Sequence, residues 1–153
     1  MHTTIRRYTM INQDTIKLLR ECDAGTKMGI SSIDDVLDNV CNPTFKQKLE
    51  YSKKEHEQIE KDIQNLLMKY HDEGKEPNAF AKGMSWMETN MKIMMNDSDK
   101  TIADIMTDGC NMGVKSLNKY KNQYKQANEE AIQIANRLIQ IESKLTLDMS
   151  QYL

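Results

Sequence analysis

The chain has 153 residues, with 21 Lys plus Arg against 23 Asp plus Glu and a formal charge of -2. That length suits one domain with a sizeable core and excludes two comfortable ones. The charge balance supplies no long-range field for nucleic acid or an acidic membrane, so neither is an expected partner.

Only three valines, two prolines and six glycines occur, while Leu, Ile, Met, Lys, Glu and Gln are abundant. Such a composition is poor in strand formers and predicts an all-α protein. Leu, Ile, Val and Phe make up about a fifth of the chain, and twelve methionines lift the apolar content into the globular range. No signal peptide or long apolar run appears, so a soluble, cytoplasmic protein is expected. Three cysteines without metal-type spacing point to free thiols in a reducing compartment.

In chain order, residues 1–11 lack periodicity and are expected to form a flexible tail. Asn12 or Asp14 can cap a first helix running to about Val40. Cys41-Asn42-Pro43 stops it, and Asn42 with Pro43 starts a second helix that reaches about His71. Gly74 is the expected residue beyond its end. A shorter, Met-rich helix is expected over residues 79–95. Ser98 or Asp99 then caps a helix from Lys100 to about Lys125, and Asn128 with Glu129 and Glu130 opens the last one.

Steps of three and four run through all four long segments. The second gives Phe45, Leu49, Ser52, His56, Ile59, Ile63, Leu66 and Tyr70, and the last gives Ala131, Ile134, Leu138, Ile141, Leu145, Asp148 and Tyr152. That spacing favours nearly aligned helices in a bundle. Gly25, Met28, Gly29, Ile30, Ser32 and Ile33 recur as Gly109, Met112, Gly113, Val114, Ser116 and Leu117, displaced by 84 residues. The repeat reads as a duplicated helical hairpin. Each mid-helix glycine costs about 1 kcal/mol relative to alanine, and close approach of the two repeated helices is the expected compensation.

A bundle of two duplicated hairpins, with Cys22-Asp23-Ala24-Gly25, Thr107-Asp108-Gly109 and a Trp86-bearing segment between the halves, resembles the ferritin-like superfamily. It is most similar to uncharacterised bacterial ferritin-like domains of unknown function, over roughly residues 12–152. The resemblance implies a ferritin-like four-helix bundle with an extra short helix inserted between the hairpins. Active members of that superfamily need a glutamate from each of two helices and Glu-x-x-His from each of the other two, so that carboxylates bridge two hard cations. Here Lys53-x-x-His56 and Glu142-x-x-Leu145 each keep half of the motif. A complete di-metal centre and a cofactor are therefore not expected. The alternative is iron or another divalent ion held by Asp23, His56, Asp108 and Glu142, against the plainer reading of a seam histidine beside a carboxylate.

Phe80, Met84, Met87, Met91 and Met94 continue the four-three spacing, with Trp86 beside them. They suit a helix covering one end of the bundle, a face meeting another subunit, or a thioether site for Cu(I). Met84, Trp86, Met87 and Met91 are the candidate partner-binding residues, and a homodimer is the expected assembly. No Gly-rich phosphate loop, Gly-x-Ser-x-Gly elbow or His-Glu-x-x-His motif occurs. Cys22 and Cys110 fall in or near the seams, where a thiol is inert, and His2 and His71 lie near segment ends. The sequence thus predicts a non-catalytic helical binding or assembly protein, with metal binding of an oxidase or storage kind as the rival.

Overall fold

A computed structural model describes residues 2–77 and 98–153, with side chains from Gln13 onward. Among the described residues there are four α-helices and no strand: α1 (His2–Leu37), α2 (Pro43–Lys69), α3 (Ser98–Gln123) and α4 (Glu129–Met149). A single 3-10 turn, Ser150–Tyr152, follows α4. None of the helices is long and apolar enough to cross a membrane. The expected Met-rich helix, with Met84, Trp86, Met87 and Met91, lies outside the described residues.

The ends of the helices follow from their capping chemistry. Asn42 accepts hydrogen bonds from the N–H groups of Thr44 and Phe45, and Pro43 begins α2 where no donor is needed. Asn128 does the same for Ala131 at the start of α4. At the far end of α2, the His71 N–H donates to Met68 O and the Asp72 N–H to Leu67 O. His71, at φ 56, is the left-handed residue that closes this Schellman arrangement, three positions before the expected Gly74. α1 begins at His2, not behind Asn12 or Asp14, and so takes in the stretch expected as a tail. No glycine or proline interrupts that stretch. Asp14 and Thr15 are instead used across the bundle: Asp14 accepts from the Gln126 N–H at 2.9 Å and Thr15 from the Asn128 N–H at 2.8 Å.

These cross-bundle bonds define the topology. Asp99, opening α3, accepts from the N–H groups of Cys41 and Asn42 in the α1–α2 connection. The α3–α4 connection meets the other end, where the Asn128 amide donates to the Tyr70 hydroxyl at 2.7 Å. Hence α1–α2 and α3–α4 are antiparallel hairpins, while α2 and α3 run parallel. The chain between Tyr70 and Ser98 therefore links opposite ends of the bundle, a distance of about 39 Å for a helix the length of α3. Replacing Asn42 by Ala removes an acceptor for two N–H groups. A loss of about 1 kcal/mol in urea unfolding is expected, and no change in midpoint would show that the cap is dispensable.

The core lies in two apolar layers. One joins Leu18, Leu19, Ile59, Ile63, Leu117 and Leu138 among others; the second joins Ile33, Val36, Phe45, Leu49, Ile102, Leu145 and Met149. Phe45 stacks on Tyr152 with ring centroids 4.4 Å apart, fastening the C-terminal turn to the start of α2. Thr26, Ser52, His56 and Glu142 are buried without belonging to either layer.

The buried pattern differs from the expected seam in α4. Glu142 and Met149 are buried where Ile141, Asp148 and Tyr152 were expected, and in α2 Leu67 replaces Leu66 and Tyr70. Both α2 and α4 thus bury the same spacing: Phe45, Leu49, Ser52, His56, Ile59 and Ile63 in one, Ala131, Ala135, Leu138, Glu142, Leu145 and Met149 in the other. Each buried residue of α3, namely Ile102, Ala103, Met106, Cys110 and Leu117, stands 84 positions after a buried residue of α1.

Candidate functional site at the waist of the bundle

His56 from α2 and Glu142 from α4 meet between the two apolar layers. The His56 ring is 1% exposed, and its Nδ1 lies 2.7 Å from Ser52 O. A carbonyl oxygen only accepts, so Nδ1 carries the proton and Nε2 is the ring nitrogen turned toward Glu142. Nε2 stands 3.9 Å from Glu142 Oε1, and Glu142 Oε2 is buried with no hydrogen-bond partner. Burial pushes the Glu142 carboxyl above the ordinary carboxylate range, while the neighbouring His56 ring pulls it back.

The repeated glycines make room for these two side chains. A Cβ on Gly29 would sit 2.8 Å from His56 Cδ2 and Nε2. A Cβ on Gly113 would overlap the Glu142 carboxylate. The expected reason for the glycines, close approach of the two repeated helices, gives way to this one. The other members of the repeat are not constrained in the same way: Gly25 has Leu138 Cδ2 at 3.8 Å, and Gly109 has nothing within 4 Å.

The remaining two candidate ligands stand elsewhere. Asp108 is exposed on α3. Asp23 is fully buried, but its oxygens are committed: Oδ1 accepts from Gln64 Nε2 at 2.9 Å, and Oδ2 from the Lys75 N–H at 2.9 Å and Lys27 Nζ at 3.1 Å. Of the four, only His56 and Glu142 come together, and among the described residues no three His, Cys, Asp or Glu side chains form a metal-holding group. Lys53, which stands where the motif would have its glutamate, pairs with Asp34 at 2.5 Å. Cys22 and Cys110 are buried free thiols, pushed up to about 12 by desolvation first and by neighbouring carboxylates second. Neither is a nucleophile at neutral pH.

Sequence reasoning missed the surroundings of Asp23. Arg20 holds Asp72 through two N–H groups, and the Arg20 guanidinium keeps the Asp72 carboxyl below its usual range. Lys75 reaches Glu21 at 2.6 Å, and Lys27 reaches Glu76 at 2.8 Å. Residues 72–76, the start of the connector leaving α2, are thereby tied along α1. Their partners lie about fifty positions away in sequence, so no local pattern announces them.

On the outer face of α2 and α4 a groove of about 290 Å³ runs over Leu145, with Tyr51 and Lys144 on its rim. The Lys144 ammonium lies 4.6 Å above the Tyr51 ring and 3.7 Å from Glu55, so its charge is already engaged. No protein-family model, curated protein or solved structure matches the chain.

Proposed function

We propose that this chain is a ferritin-like bundle of two duplicated hairpins that lacks a complete di-metal centre and serves as a non-catalytic binding and assembly protein, self-associating as a homodimer. The observation that carries this reading is the waist itself. Where four helices would converge carboxylates on two cations, one histidine and one glutamate face each other, sealed by Gly29 and Gly113. Asp23 is spent on the connector and Asp108 on solvent.

The duplication is supported by the shared buried spacing of α2 and α4 and by their matching Asn caps. Asp14 with Thr15 in one half, and Asp99 in the other, each receive backbone N–H groups from the opposite hairpin's connection. A single long crossing between hairpins is the connection found in ferritin-like bundles. Self-association rests on the Met84, Trp86, Met87 and Met91 pattern, since adaptable methionines around an aromatic anchor suit a protein interface.

The test combines metal analysis with mass in solution. Protein purified without tags or chelators is expected to carry only trace metal, before and after Fe(II) loading, and to have the mass of a dimer. Trp86→Glu with Met91→Glu is expected to halve that mass. Stoichiometric metal that disappears in a His56→Ala, Glu142→Ala variant would overturn the reading in favour of a metal-binding protein. A wild-type monomer would remove the dimer.

A further inference from the structure

The cluster around Asp23 holds a second carboxyl, Glu60 of α2. One amide nitrogen, Gln64 Nε2, lies 2.9 Å from Asp23 Oδ1 and 2.9 Å from Glu60 Oε1. An amide has two hydrogens, so each carboxyl takes one. Glu60 Oε2 is buried with no partner, while both Asp23 oxygens already accept. Two ionised carboxylates on one shared donor would leave like charges side by side and an orphaned acceptor. A proton on Glu60 removes one of the two charges and lets the Glu60 carboxyl donate to its Asp23 neighbour. The connector is pressed onto this pair: the Lys75 N–H binds Asp23 Oδ2, and at Gly74, φ +85, a Cβ would overlap the same oxygen.

We propose that Glu60 holds a proton against Asp23, and that this proton latches residues 72–77 of the connector onto α1 and α2. The latch stands apart from the assembly reading above and needs no partner chain. The charged groups around it come from three directions. From α1, Lys27 bridges Asp23 to Glu76, while Arg20 and Glu21 hold Asp72 and Lys75. The connector supplies Asp72, Lys75 and Glu76 themselves. From α3 and the residue that follows it, Tyr120 and Tyr124 lie close enough to Lys75 to feel its charge. Burial is the largest influence on Glu60, Asp23 adds to it and Lys27 opposes it, raising the carboxyl to about 7.

A carboxyl raised in the folded state binds its proton more tightly there than in the unfolded chain. The stabilisation is complete below the unfolded value of about 4.5 and is lost as pH rises through about 7. Above that, a charged Glu60 repels Asp23 and loosens its hold on the Lys75 N–H.

The experiment is a carbon-detected NMR titration of the Glu60 side-chain carboxyl in the full chain, joined to hydrogen exchange of the Lys75 amide. The titration midpoint is expected near 7. The Lys75 protection factor, taken against its intrinsic exchange rate, is expected to fall at least about fivefold between roughly pH 6 and pH 8. In Glu60→Gln, neutral at every pH and still able to donate to Asp23, that fall is expected to vanish. A midpoint near the ordinary carboxyl value, or the same Lys75 response in both proteins, would overturn the latch. The wild-type titration decides the matter alone should the variant fail to fold.

Discussion

Replacing His56 by Ala is expected to lower the stability of the fold by about 3–4 kcal/mol, among the largest losses open to a single polar side chain here. Two effects add. The ring is 1% exposed and fills the space beside Gly29, so its removal leaves a cavity between the two apolar layers. It is also the neighbour that offsets the burial of Glu142, whose second oxygen already has no partner. A buried carboxyl left without its neighbour costs more than the pair contributes. Replacing both by leucine, His56→Leu with Glu142→Leu, should therefore be milder than His56→Ala alone. Urea denaturation of the three proteins measures both claims. A single-variant cost under about 1 kcal/mol, or a double variant worse than the single, would mean that the two side chains act independently.

Much of the fold was legible in the sequence, and the reason is local chemistry. Asn42-Pro43 and Asn128 carry their helix-starting roles in their own side chains and the next three residues. The three-four spacing fixes which residues of α2 point inward as far as Ile63. The same spacing is ambiguous in α4, where Ala131, Leu138 and Leu145 belong to either of two seams. Apolarity selects Ile141 over Glu142 at the step between them, yet Glu142 is the buried one. Its burial depends on His56 and Gly113, which lie on other helices and leave no trace in the local pattern. Asp23 was legible as a candidate metal ligand but not as an anchor, because Gln64 and Lys75 reach it only after α2 has folded back on α1. Asp14 looked like a cap for its own helix; its oxygen instead serves the N–H of Gln126. Side chains that answer to distant backbone are where sequence reasoning ran short.

The glycine repeat gives the sharpest contrast between a sequence pattern and its physical cause. Gly29 and Gly109 are both mid-helix members of the same motif, and helix propensity alone favours Ala at each by about 1 kcal/mol. The structure gives them opposite signs. Gly109→Ala meets no atom within 4 Å and is expected to gain up to about 1 kcal/mol. Gly29→Ala places its methyl 2.8 Å from a ring that cannot easily withdraw, since Nδ1 is held by Ser52 O. Overpacking of this kind costs about 1–3 kcal/mol, which the propensity gain only partly offsets. A net loss of roughly 1–2 kcal/mol is expected for a cost in the upper half of that range. Combining Gly29→Ala with His56→Ala should then cost less than the sum of the two, because the new methyl occupies space that the ring has vacated. Thermal or urea unfolding of the single and double variants tests this directly. Equal effects at Gly29 and Gly109 would restore helix propensity as the only influence, and strict additivity with His56→Ala would place the cause of Gly29 outside the waist.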